Sequence, residues 1–193
     1  MSAPEIVVIG CSWGGLKALR RILSGLPEDF PAAIAVAQHR DARSSEGLPA
    51  AIQSATSLEI RDVIDKEPIV AGRVYLAPPD YHLLVEPGSF ALSTEGAVMF
   101  ARPSVDVLFE SAAVSYGEAV VAVVLTGANE DGAAGARAVK DHGGSVVVQD
   151  PRTAERGEMP RAALATTDPD AVLALDDIAA FLTNVCTVST GGN

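Results

Sequence analysis

A serine stands between glycines in "IGCSWGG", with Gly10, Ser12 and Gly14 in G-x-S-x-G spacing. That spacing belongs to a sharp strand-to-helix turn, which holds a hydroxyl beside the amides of a helix N-terminus. The chemistry it supports is attack on an acyl group, with the resulting oxyanion held at the same turn. A simple helix cap on a glycine turn would look the same, so a nucleophile reading needs a base and an acid. The chain has three histidines. His39 ends the apolar run "AAIAVAQ", His82 sits inside "YHLLV", and His142 precedes Gly143 and Gly144, where a helix-end role is favoured. In a parallel sheet the carboxyl ends of strands share one edge, where ligands bind, and this would make His39 the neighbour of Ser12. A third group must orient the imidazole. Asp131 in "VLTGANEDGAAG" stands just beyond a strand-like run, but Glu130 and Asp150 compete with it, and spacing alone does not choose among them.

The elements that must carry these residues follow from hydrophobic periodicity. Apolar runs at Ile6 to Ile9, Ala33 to Ala37, Val120 to Leu125 and Ser145 to Val148 alternate with helix-length segments, which points to a parallel α/β sheet. From Gly14 to Leu26, the residues Leu16, Leu19, Ile22, Leu23 and Leu26 fall on one helical face, with Gly25 as terminator. Between Arg73 and Ala101 the prolines and glycines break the chain into short pieces, read as an antiparallel hairpin inserted into the fold, so the sheet is expected to be mixed. The expected class is a three-layer α/β/α fold on a mostly parallel, doubly wound sheet. The order Ser12, His39, Asp131 is not the Ser, Asp, His order of α/β-hydrolases. The turn also lacks G-x-G-x-x-G spacing and no acid ends the second strand, which argues against a Rossmann dinucleotide site.

Composition narrows the function classes. At 193 residues, 48% hydrophobic and 20% charged, the chain reads as one folded domain, with residues 1–186 as the domain and 187–193, "TVSTGGN", as a loose tail. A net charge of -11 argues against nucleic acid as a partner. The N-terminus offers neither a signal peptide nor a membrane span, so a cytoplasmic protein without membrane insertion is expected. Cys11 and Cys186 have no metal-ligand spacing and read as thiols. No metal and no cofactor are expected.

Several separated stretches then match one pattern in order: "VVIGCSWGGLKAL", "AQHR", "VYLAPPDYHL", "RPSVDVLFESAA" and "VLTGANEDGAAG". They resemble the catalytic domain of chemotaxis protein-glutamate methylesterases, the CheB type. The resemblance implies a catalytic triad of Ser12, His39 and Asp131, which settles the choice among the acids. It also implies hydrolysis of glutamyl methyl esters on methyl-accepting chemotaxis receptors, with methanol released and glutamine deamidation as a second activity. Trp13, Gly14 and Ala128 are the candidates for the oxyanion and substrate-binding positions. The implied partners are methylated cytoplasmic helices of chemoreceptors and a separate receiver or signalling protein. The family usually carries an N-terminal receiver domain, whereas this chain enters its first catalytic strand by Ile6, so no phospho-switch is expected in it. Departures from the pattern are Trp13 in place of threonine, Ala128 and Asn129 in place of methionine and glycine, and Glu158 inserted before Met159. Trp13 is expected to narrow or reshape access to Ser12. Two other readings stay open: a non-catalytic adaptor on the same fold, and an esterase or amidase for another substrate.

Overall fold

The strand β1 (Ile6–Cys11) is buried along its whole length, as the central strand of a parallel sheet must be when helices cover both faces. In the computed structural model, which describes residues 4–39 and 47–187, β1 feeds α1 (Gly15–Leu23), and the chain continues through β2 (Ala33–Gln38), α2 (Leu48–Gln53), β3 (Glu59–Asp62) and β4 (Arg73–Leu76). The hairpin β5 (His82–Glu86) and β6 (Ser89–Ser93) follows, then α3 (Val105–Tyr116), β7 (Val120–Val124), α4 (Ala133–Asp141), β8 (Ser145–Gln149), α5 (Glu158–Thr166), β9 (Ala171–Leu173) and α6 (Leu175–Thr187). Seven parallel strands form one sheet in the order β3-β4-β2-β1-β7-β8-β9.

Alternation along β1 separates two cores. Val7, Ile9 and Cys11 pack with Leu19, Ile22 and Leu23 of α1 and with Ile178 and Leu182 of α6. Ile6 and Val8 face the other layer, with Val105 and Leu108 of α3, Val139 of α4, and Leu83 and Phe90 of the hairpin. Each such side chain contributes roughly 1.5–3 kcal/mol by leaving water. The chain order reverses at β1, which has β2 on one side and β7 on the other. The crevice beyond their carboxyl ends is the place where open α/β sheets bind ligands.

The three-layer architecture is as expected, and three details differ. The main sheet is wholly parallel, because the hairpin stands outside it as a second sheet, bridged at Ser89 to Pro68. Arg73–Leu76, expected within the antiparallel segment, is a parallel strand between β2 and β3. The first helix ends at Leu23, capped by Ser24, before the expected Gly25, and Leu16 is exposed although its spacing matched the buried face. Thr187, the first residue of the expected tail, ends α6; the rest of that tail lies outside the described residues. Cys11 and Cys186 are free, buried thiols, and among the described residues no helix is long and apolar enough to cross a membrane.

Candidate active site

Ser12 follows β1 directly, and its position is fixed from the neighbouring strands. Its N–H donates to Thr126 O at 2.9 Å, its carbonyl accepts from Gly15 N–H at 2.9 Å, and the Thr126 hydroxyl donates to Trp13 O at 2.8 Å. From β2, Gln38 Nε2 donates to both Ser12 O and His39 O at 2.9 Å, while its Oε1 accepts from the Cys11 thiol at 3.0 Å. One amide thus ties the serine turn to the histidine's backbone. The turn runs through Gly14 at φ +80°, where a Cβ would also lie 2.9 Å from Glu155 Cβ, so glycine is required twice over. A close approach on the other side needs Gly127, since a Cβ there would stand 2.9 Å from Ser12 Cβ and 1.9 Å from Met159 Sδ.

His39, half-buried at the end of β2, places Nε2 2.6 Å from Asp131 Oδ2. A carboxylate only accepts, so Nε2 carries the proton and Nδ1 is left as the acceptor. Asp131 is wholly buried. Besides His39 it receives Val105 N–H at 2.8 Å on Oδ2, and Ser104 Oγ and Asp106 N–H at 2.9 Å on Oδ1. These three donors form the N-terminus of α3, whose Ser104 also caps Val107 N–H; amides and helix dipole there favour a negative charge. Burial pushes the Asp131 carboxyl up, but the hydrogen bonds from His39 and from the Asp106 and Val105 amides outweigh it and hold the group below its ordinary value.

The arrangement is reciprocal. Asp106, from the first turn of α3, accepts at Oδ1 from Gly132 N–H at 2.9 Å and Gly135 N–H at 2.7 Å, at the N-terminus of α4. Each helix start holds the other's aspartate. Asp106 is pushed up to about 6, first by burial and further by the Asp131 charge, against the pull of the two glycine amides.

Of the competing acids, Glu130 is exposed on the loop after β7, and Asp150 takes Arg152 at 2.6 Å. Only Asp131 reaches His39. His82 is buried elsewhere: Nδ1 accepts Ser104 N–H at 3.2 Å and Nε2 donates to Gly96 O at 3.0 Å. His142 caps α4, its Nδ1 on Ala138 O at 2.8 Å. Ser12 Oγ makes no hydrogen bond to the His39 ring.

A sequence model of the CheB methylesterase family matches residues 7–182. The chain belongs to the CheB methylesterase family. A putative protein-glutamate methylesterase/protein-glutamine glutaminase of Leptospira interrogans is 46% identical over 176 residues, covering 91% of each chain. Protein-glutamate methylesterase/protein-glutamine glutaminase 2 of Anaeromyxobacter dehalogenans is 44% identical over 90% of this chain, which spans 51% of that longer relative. The crystal structure of the Thermotoga maritima CheB methylesterase catalytic domain superposes with a TM-score of 0.90 at 35% identity, covering 94% of this chain and 98% of that one.

Two clefts flank this CheB-type centre. One of about 460 Å³ lies beside Ser12 with Gly14, Leu16 and Gln38, which is why Leu16 is not packed away. The other, about 700 Å³, lies beside His39 with Asn129, Asp80, Met99, Phe100 and Arg102. Trp13 lines neither. Its indole N–H donates to Glu155 Oε1 at 2.9 Å and the Arg156 guanidinium lies 5.7 Å from the ring centre, so the side chain leans on the loop between β8 and α5 rather than across the serine. Among the described residues the N–H groups of Trp13 and exposed Ala128 meet no acceptor. Asn129 Nδ2 stands 3.5 Å from His39 Nδ1, a weak contact on the nitrogen left to accept. Sequence reading missed Gln38, Ser104 and Asp106. Among the described residues no cluster of three or more metal-ligating side chains occurs.

Proposed function

We propose that this protein hydrolyses glutamyl methyl esters on the cytoplasmic helices of chemoreceptors, with Ser12 as nucleophile, His39 as base and Asp131 as the acid that orients it. The observation that carries the reading is the 2.6 Å contact between His39 Nε2 and a buried, fully hydrogen-bonded Asp131 beside the serine turn. With Nε2–H committed to Asp131, Nδ1 is the nitrogen that takes the Ser12 proton as Oγ attacks the ester carbonyl. That contact forms in the substrate complex, where catalytic hydrogen bonds tighten. The N–H groups of Trp13 and Ala128 stabilise the oxyanion. The tetrahedral intermediate collapses, and His39 returns the proton to the leaving methoxide, which departs as methanol. Water then gives a proton to His39 and attacks the acyl-enzyme, leaving a glutamate side chain and restoring Ser12. The same sequence on a glutamine side chain releases ammonia.

Methanol release from a methylated cytoplasmic receptor fragment tests the reading. Ser12→Ala should lower turnover by roughly 10⁴- to 10⁶-fold with the fold intact. Wild-type activity on a small activated ester but not on the fragment would move the assignment to another substrate, and activity on neither would favour an adaptor.

A further inference from the structure

Four non-glycine residues among the described ones have positive φ: Lys66, Asp80, Met99 and Phe100. Three of them, Asp80 at 63°, Met99 at 48° and Phe100 at 63°, line the cleft beside His39. Left-handed backbone at a bulky residue is strained and persists only where the surroundings impose it. Met99 and Phe100 are the two central residues of a tight turn, closed by paired hydrogen bonds between Val98 and Ala101 of 3.1 and 2.8 Å. This is turn geometry that normally selects asparagine or glycine. Yet Phe100 is wholly exposed, at 103% relative accessibility, while Met99 is about half exposed.

The base of the turn is braced on both sides. Arg102 donates to Thr94 O at 2.8 Å, to Glu95 O at 3.0 Å and to the Asp80 carboxylate, while His82 holds Gly96 O at 3.0 Å. Among the described residues that line the cleft, the cation Arg102 and the anion Asp80 engage each other, which leaves Met99 and Phe100 as its large apolar surface beside His39 and Asn129. Phe100 thus places a large apolar side chain in water, at a strained turn on a braced base, in the cleft that His39 also lines.

We propose that the Met99–Phe100 tip is a preformed apolar anchor that seats a nonpolar side chain of the protein carrying the ester, on the same segment as the esterified glutamate. The inference rests on the esterase reading above and adds a specificity determinant to it. Phe100 is a substrate-positioning residue with no part in proton transfer. A rigid aromatic anchor loses little conformational freedom on binding, which is why such side chains dominate recognition of protein partners.

The test compares kcat/KM for methanol release from a methylated receptor fragment with kcat/KM for p-nitrophenyl acetate, in wild type, Phe100→Gly, Phe100→Ser and Phe100→Leu. Phe100→Gly and Phe100→Ser should lower the receptor-to-small-ester ratio at least tenfold, chiefly through KM, and Phe100→Leu should restore most of it. Because glycine relieves the positive φ, Phe100→Gly should melt no lower than wild type. Val114→Ser, which alters another exposed apolar side chain at the far end of α3, should leave the ratio unchanged. An unchanged ratio in both Phe100→Gly and Phe100→Ser, or equal losses on both substrates, overturns the anchor while leaving the esterase reading in place. Wild type inert toward the fragment overturns the esterase reading, and the anchor with it.

Discussion

Replacing Asp131 by asparagine changes one atom and separates two roles of that side chain. The carboxylate accepts four hydrogen bonds, two on each oxygen. Asparagine keeps one oxygen, so its amide NH₂ must point at one of the two pairs. Facing Ser104 Oγ and Asp106 N–H, it finds a hydroxyl that can turn and accept, but it opposes a backbone donor. Facing His39 and Val105 N–H, it again opposes a backbone donor, and it drives the imidazole into the tautomer with the proton on Nδ1, where Ser12 needs an acceptor. Either way one buried N–H is orphaned, which costs about 1–3 kcal/mol, and the remaining bonds lose their charge assistance at about 1 kcal/mol each. Counting the two bonds that asparagine's oxygen still accepts, the expected destabilisation at pH 7 is about 3–5 kcal/mol, a large part of the margin of a normal domain. The expected loss in kcat/KM is roughly 10⁴-fold, the size of a tautomer error in serine triads. Because the folded pKa of Asp131 lies below its ordinary 3.8, the stabilisation is complete well above that value and disappears as pH falls through the folded one. Urea unfolding of both proteins at pH 7 and in steps below pH 4 should show the gap close on acidification. A variant within tenfold of wild-type activity, or a stability gap independent of pH, would refute the reasoning.

Asp106→Asn should act in the opposite sense, since asparagine's oxygen can still accept from Gly132 and Gly135 while the charge beside Asp131 is gone. With the native carboxyl raised from 3.8 to about 6, wild type loses stability as pH rises between those values. The variant should therefore gain on it by about 1–2 kcal/mol above pH 6, after discounting for solvent access, and unfolding curves at pH 4 and 8 check this. Trp13→Thr should change kcat/KM for receptor fragment and small ester by the same factor within about twofold, because the indole lies on Glu155 and Arg156 rather than on either cleft. Glu130→Gln should stay within about threefold of wild-type esterase activity, its side chain being exposed on the loop.

The legible parts of the fold were those where burial is complete. β1, β2, β7 and β8 are almost unbroken apolar runs because both sides of each strand face helices. β3 has one apolar residue, Ile60, among three charged ones at the sheet edge, and β4 opens with Arg73, so neither gives such a run. The serine turn and the histidine at the end of β2 were readable because parallel topology alone brings strand ends together. The choice of Asp131 over Glu130 came from family resemblance, and its physical cause lies in the N-terminus of α3, which no spacing within "ANEDG" could reveal. Asp106 was invisible for the same reason: its partners lie 26 and 29 residues away. Leu16 obeyed the helical period, but the period cannot tell a core from the wall of a cleft.

The crossed aspartates also bear on how relatives of this protein should be read. Where active-site groups burden a fold, their decay after loss of activity is quick, and their presence testifies to catalysis. Asp131 is no such witness, because a lineage that abandoned ester hydrolysis would still be selected to keep the carboxylate that anchors the start of α3. Among the described residues the Ser12 hydroxyl bonds to nothing, and each hydrogen bond at that position is made by the backbone. Alanine or glycine at position 12 beside a retained aspartate at 131 is thus the expected fossil of a methylesterase turned binding protein.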